Sequence, residues 1–151
     1  MKNIEKYWND FINTSPNNLK FINRKYNWFS FGANSDKLAK WVIDGEKTAT
    51  SSLYESYLND DEEIPKEGNC SIILDSKNKP VCIIKINKVE VIKFKSITEN
   101  MARKEIREQN ALELWRNFHF NFFLSEAQEI GEVFSTESLI VFESFSVIYK
   151  R

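Results

Sequence analysis

The stretch Asp44-Gly45-Glu46-Lys47-Thr48-Ala49-Thr50-Ser51-Ser52 sets one lysine at the head of a run rich in threonine and serine. It stands out because the usual chemical signatures are missing. There is no G-x-G-x-x-G, no Walker A lysine loop, no G-x-S-x-G elbow and no H-E-x-x-H. With a single histidine in the chain, His119, neither a Ser-His-Asp triad nor a histidine-rich metal site is expected. What remains for chemistry is lysine, threonine, glutamate and that histidine, groups that move protons or hold polar ligands. The same stretch also has an ordinary reading, in which Gly45 stops a helix, Lys47 is a surface charge and Thr48 and Thr50 are strand residues.

His119 follows Trp115 by four residues and Arg116 by three, so the three are expected to share one edge of a helix. Facing a pocket, Arg116 and His119 would contact a base or a phosphate; packed inward, His119 is a hydrogen-bonded core residue. Trp28 and Trp41 divide in the same way between stacking platforms and core. Lys85, Lys88, Lys93 and Lys95 form the densest basic cluster, fit either to follow a phosphate backbone or to keep a strand edge solvated.

The elements that must position these groups come from one domain's worth of chain. At 151 residues, folding removes roughly 68 to 70% of the unfolded surface from water, enough for one substantial core. The 21 basic and 22 acidic residues leave a net charge of -1, so a long nonspecific nucleic-acid footprint is disfavoured, while a local basic pocket remains open. Cys70 and Cys82 lie in apolar runs without metal-ligand spacing and are expected to be core thiols; no metal and no cofactor are expected. The N-terminus lacks an apolar signal core and no run is long enough to span a bilayer, so a cytoplasmic protein is expected.

Ile4, Tyr7, Trp8, Phe11 and Ile12 recur at helical spacing, and a loop should follow from Thr14 to about Lys25. Trp28 to Phe31 is β-prone, and Gly32-Ala33-Asn34-Ser35 punctuates it before a helix carrying Leu38, Trp41 and Val42, with Ser35 as N-cap and Gly45 as C′ residue. Thr48 to Ser52 is expected to be a strand or extended loop, Leu53 to Leu58 a helical turn, and Asn59 to Glu63 an acidic loop. Cys70 to Leu74 and Val81 to Phe94 form a hairpin around Asp75 to Pro80, with a bulge or corner near Lys88 where alternation shifts. Helices over Thr98 to Glu105 and Ala111 to Ala127, a stop at Gly131 and a terminal strand from Leu139 to Tyr149 complete an α+β pattern. Residues 1–151 are read as a single domain, with the helix and loop of residues 1–25 packed on it.

Four segments in order resemble the ASCH domain, a PUA-like family. Gly45 to Thr50 resembles its G-x-K-T-x-T element, Pro65-Lys66-Glu67-Gly68 its P-x-x-G turn, and Val81 to Val91 its long central strand. Leu112-Glu113-Leu114-Trp115-Arg116-Asn117-Phe118-His119-Phe120-Asn121-Phe122-Phe123 resembles the L-E-x-W-R-x-x-H-x-x-F-F helix of a longer bacterial subgroup. The resemblance implies a PUA-like mixed β-barrel with flanking α-helices and a link to RNA binding and RNA metabolism.

Some small members of that family deacetylate N4-acetylcytidine with a lysine, a threonine and a later glutamate. By resemblance these fall on Lys47, Thr50 and Glu105, the last within Thr98-Glu99-Asn100-Met101-Ala102-Arg103-Lys104-Glu105. In such a trio the lysine would deprotonate the threonine or steady an oxyanion, and the glutamate would serve as acid or base. Two positions depart from the pattern. Ser52 stands where an arginine is usual, and Glu105-Ile106-Arg107-Glu108-Gln109-Asn110 replaces a loop resembling E-G-E-G-D. The leading expectation is therefore a module binding RNA or a modified nucleoside or nucleotide, with Gly45, Thr48, Ser52, Arg116, His119 and Trp28 as ligand contacts. Amide hydrolysis of N4-acetylcytidine or a similar modified nucleoside is the alternative, and ribonuclease activity comes third.

Overall fold

The structure, a computed structural model, describes residues 2–32 and 34–151; Met1, and Ala33 of the expected Gly32 to Ser35 break, lie outside the described residues. The chain divides into two compact units. The first comprises Met1–Gly45, Gly68–Ile86 and Ser146–Arg151, the second Glu46–Glu67 and Asn87–Phe145. A five-stranded sheet has the order β1-β3-β4-β5-β2, where β1 is Tyr26–Ser30, β2 Ala49–Leu53, β3 Cys70–Leu74, β4 Pro80–Lys93 and β5 Leu139–Lys150. The two long strands β4 and β5 contribute residues to both units.

In the first unit, β1 pairs parallel with β3, which pairs antiparallel with β4. All five residues of β3 are buried, consistent with an apolar run that Ser71 alone interrupts. Helix α1 (Lys2–Thr14) buries Ile4, Trp8, Phe11 and Ile12 against Ile72, Leu74 and Ile83. The expected loop after it is a 3-10 helix, Pro16–Phe21, because Ser15 caps it through its hydroxyl and Pro16 supplies a preset first helical φ. Helix α2 (Ser35–Ile43) is capped by Asn34 in the left-handed region rather than by Ser35, which is its first residue. Gly45, at φ +80°, is the C′ residue, a conformation that a Cβ would strain. Cys70 and Cys82 are buried free thiols, and burial pushes the Cys82 thiol up to about 12.

A register irregularity in the β3–β4 pair lies between Ile73 and Leu74, where Val81 is the extra residue on β4. The shift of alternation that pointed to Lys88 falls beside the boundary between the units at Ile86 and Asn87.

In the second unit, β2 pairs antiparallel with β5: Ala49 opposes Ser144, Thr50 opposes Glu143, Ser51 opposes Phe142 and Leu53 opposes Ile140. Helix α3 (Tyr54–Asn59) follows β2 directly. The short helix α4 (Glu99–Arg103) has Thr98 as N-cap, its hydroxyl accepting from the Met101 N–H at 3.2 Å. The 19-residue helix α5 (Ala111–Glu129) turns Trp115, Phe123 and Ala127 onto Ala49, Leu53, Ile140 and Phe142. Phe94 and Phe134 close this core with edge-on ring contacts at 5.3 Å.

Candidate functional site

Alternation along β2 sorts the hydroxyls of the Lys47 to Ser52 stretch. Ala49 and Leu53 are both fully buried in the α5 core, so Ser51 between them shares that face, whereas Thr50 and Ser52 occupy the other. Opposite, Phe142 and Ser144 belong to the core face and Glu143 to the face of Thr50.

A buried polar network sits on the core face. The Lys47 ammonium donates to Glu105 Oε1 at 2.9 Å and to the Ala49 carbonyl at 2.8 Å. Glu105 Oε2 accepts from the Ser51 hydroxyl at 2.5 Å and from the Trp115 indole N–H at 2.7 Å. The His119 ring stacks on Trp115 with centroids 4.3 Å apart, its Nδ1 donating to the Trp115 carbonyl at 2.9 Å and its Nε2 lying 3.6 Å from Glu105 Oε1. Lys47, Glu105 and His119 are all buried.

Burial alone would push the Glu105 carboxyl up. The Lys47 ammonium, the His119 ring and the Ser51 hydroxyl overcome this and hold it well below the usual carboxylate range. Glu105 is therefore an ionised hub with both oxygens occupied. A carboxylate with so little affinity for a proton is a weak general base, and its chemical use is to orient Lys47, Ser51 and Trp115.

Glu143 is the opposite case. Burial and the nearby negative charge of Glu105 push its carboxyl up to about 7, with Lys47 pulling the other way. It therefore changes charge near neutrality, and nothing in its local sequence marks it.

A cavity of roughly 450 Å³ opens beside the network, lined by Thr48, Arg103, Lys104, Arg107 and Glu108. Three cations face one carboxylate there. The Thr48 N–H donates to the Lys104 carbonyl at 2.7 Å, and the Phe145 N–H to the Thr48 carbonyl at 2.9 Å, which anchors this wall to β5. The Lys104 ammonium donates to the neutral Ser144 hydroxyl at 3.2 Å. Arg103 is shared with Glu99 in an exposed pair at 3.5 Å. Arg107 is one of the residues by which the loop after Glu105 departs from its expected pattern.

Of the residues singled out from sequence, the fold brings Lys47, Glu105 and His119 together and places Thr48 on the cavity. Thr50 lies on the other face of β2, and Ser51 occupies the position beside Glu105. Ser52 is on the face of Thr50 and bonds Tyr57 of α3. Arg116 is exposed on α5, so it does not share the inward edge of Trp115 and His119. Gly45 and Trp28 belong to the first unit; Trp28 is 39% exposed and its ring is 6.3 Å from that of Tyr26. The lysine cluster is partly neutralised, with Lys88 paired to Glu90 and both Lys93 and Lys95 to Glu137. Ser51 and Glu143 are two polar groups of this region that were not singled out from sequence. Strict alternation from the apolar Ala49 and Leu53 could have pointed to Ser51, whereas Glu143 needs the strand register. Among the described residues no group of His, Cys, Asp or Glu is placed to hold a metal ion, and no helix is long and apolar enough to cross a membrane.

No curated protein matches the chain. Among solved structures, an ASCH domain from Lactobacillus crispatus is similar, with a TM-score of 0.84 at 29% identity, covering 97% of this chain and 92% of that one. A protein from Enterococcus faecalis is similar at the same TM-score with 31% identity, covering 97% of this chain and 88% of that one. The ASCH domain family itself matches over residues 27–149. With its α+β architecture, mixed sheet and flanking helices, the chain belongs to the ASCH domain family and has the PUA-like fold.

Proposed function

We propose that this protein binds RNA or a nucleotide, with the phosphate held in the cavity of Thr48, Arg103, Lys104 and Arg107. The observation that carries this reading is the charge of that cavity, three cations against the single carboxylate of Glu108, in a chain whose net charge is -1. A protein without global attraction to polyanions confines phosphate recognition to a local site. The buried Lys47–Glu105 network gives the site a rigid wall, because Thr48 follows Lys47 directly and its backbone is bonded to both Lys104 and Phe145. Arginine matches phosphate oxygens with two parallel donors, and lysine adds a point charge. A cytoplasmic location, where such ligands are present, accords with this function.

Titration of labelled single-stranded RNA against the protein at several salt concentrations tests the reading. Affinity is expected to fall with salt, and Lys104→Ala with Arg107→Ala to flatten the dependence by about one unit of slope per cation removed. Binding that ignores both substitutions and the salt would place any ligand elsewhere.

Amide hydrolysis of N4-acetylcytidine or a similar nucleoside is a second reading, favoured by the 2.9 Å approach of Lys47 to Glu105 with a hydroxyl on the same carboxylate. That hydroxyl belongs to Ser51. Turnover lost in Ser51→Ala and kept in Thr50→Ala would assign the nucleophile to Ser51; the reverse would assign it to Thr50, and no turnover by the folded protein would leave binding alone.

A further inference from the structure

Glu143 is a half-buried carboxyl with no hydrogen-bond or ion-pair partner for its side chain among the described residues. Its oxygens are not among the buried polar atoms left without a partner, so they are open to solvent and to a ligand. Its direct neighbour across the ladder is Thr50, also partly exposed. Directly opposed residues of an antiparallel pair hold their Cβ atoms about 4.5 to 5.5 Å apart, so one small polar group can touch both side chains.

The position relates this pair to the basic cavity. The Phe145–Thr48 hydrogen bond continues the ladder by one step, so Thr48 and Thr50 are two residues apart on one side of an extended chain, about 7 Å along it. That is the order of the distance from a nucleotide's phosphate to its base.

We propose that Glu143 and Thr50 form a base-reading site in which the carboxyl, as a neutral acid, pairs with a base edge presenting one donor and one acceptor, as adenine and cytosine do. A neutral carboxyl offers one O–H donor and one acceptor oxygen, and so matches such an edge with two hydrogen bonds; a carboxylate offers acceptors only. The two-donor edge of guanine fits the carboxylate instead. This inference rests on the nucleotide-binding reading above, and adds the group that selects the base.

The surroundings favour the neutral form. Glu105, between α4 and α5, is held ionised and repels a second negative charge; Lys47, ahead of β2, offsets part of this and is already bonded to Glu105. His119 of α5 lies against Glu105. Tyr57 of α3 also reaches Glu143, and its phenol is pushed up to about 12 by burial and by Glu143 itself, so it stays neutral. With the carboxyl at about 7, the neutral fraction falls roughly tenfold between pH 6 and pH 8, and apparent affinity falls with it.

The test measures affinities of the dinucleotides ApA, CpC and GpG, whose diester charge is constant over this range, at pH 6 and pH 8. Wild-type protein should bind ApA and CpC roughly tenfold more weakly at pH 8. It should hold GpG no less tightly at pH 8 than at pH 6. Glu143→Gln keeps one donor and one acceptor, so it should bind ApA and CpC equally at both pH values, whereas Glu143→Ala should lose the preference over GpG. Equal binding of all three by wild type at both pH values, still weakened by Lys104→Ala, overturns the base-reading site and leaves the phosphate reading intact. Loss of ApA and CpC binding in a folded Glu143→Gln protein also overturns it. Absence of any dinucleotide or RNA binding overturns both.

Discussion

Glu105 carries its charge inside a core and has Lys47, Ser51, Trp115 and His119 around it. Removing a carboxylate from water costs several kcal/mol, and the arrangement is stable only because both oxygens are met by donors. The two ends of the ion pair are therefore not independent. Lys47→Met leaves Glu105 charged with its strongest partner gone and is expected to cost about 3 to 5 kcal/mol of stability. Adding Glu105→Gln removes the stranded charge, so the double variant should be less destabilised than the sum of the single ones, by about 0.5 to 3 kcal/mol. Urea denaturation of the four proteins measures this coupling, and strict additivity would mean that the pair contributes little. Trp115 adds a separate test, because it supplies both fully buried volume and an indole donor. Trp115→Phe keeps most of the ring but leaves Glu105 Oε2 with only Ser51, which is expected to cost about 1 to 3 kcal/mol.

At the scale of elements, the start of α5 depends on a residue from another helix. Asn110, its N-cap, makes no side-chain capping bond, and the N–H of Leu112 is instead accepted by Glu99 Oε2 of α4 at 2.8 Å. The Thr98 hydroxyl caps α4 in turn, so Thr98 and Glu99 together hold the segment that carries Arg103, Lys104, Glu105 and Arg107. Thr98→Ala is expected to cost about 1 kcal/mol, and Glu99→Ala to raise the hydrogen-exchange rate of the Leu112 amide. Unchanged exchange at Leu112 would show that α5 starts without Glu99. This scale also shows what was legible in the sequence. Periodicity located α1, α2, α4 and α5 to within a few residues, because each turns apolar residues onto a core; α3 buries none of its residues and is matched only by the expected turn over Leu53 to Leu58. The 3-10 helix at Pro16–Phe21 was hidden, since Asn17, Asn18 and Lys20 carry no apolar period and only the Ser15 cap and Pro16 betray it. At the site, the resemblance to the ASCH pattern pointed to Lys47 and Glu105, separated by 58 positions in the chain. It said less about Thr50, because the threonine spacing of the motif does not tell which face of β2 each hydroxyl takes. The core on either side of Ser51 decides that. Glu143 was illegible because its character comes from Glu105 and from its place opposite Thr50, neither of which is local in sequence.

For the molecule as a whole, the near balance of charges hides two carboxyls that make opposite contributions to stability with pH. Glu105 is held below its ordinary range, so its contribution is present above the unfolded value near 4.5 and is lost as pH falls through and below that. Glu143 is raised, from 4.5 to about 7, so the folded state keeps a proton that the unfolded chain releases. Its favourable contribution is fully present below 4.5 and is lost as pH rises through 7. At roughly 1.4 kcal/mol per unit, the loss is at most about 3.5 kcal/mol and less in proportion to the solvent that reaches a half-buried group. Glu143→Gln removes the titration while preserving size and hydrogen bonding. Its melting temperature should therefore match that of wild type near pH 4.5 and exceed it by a margin that grows between pH 5 and pH 8. A constant margin across that range would mean that Glu143 titrates in the folded protein as it does in the unfolded chain, and would remove the electrostatic support for its role as a neutral acid. ApA should widen that margin further at pH 8, because it stabilises Glu143→Gln at full affinity while the wild type must first take up a proton to bind, and this joins the pH dependence of stability to that of binding.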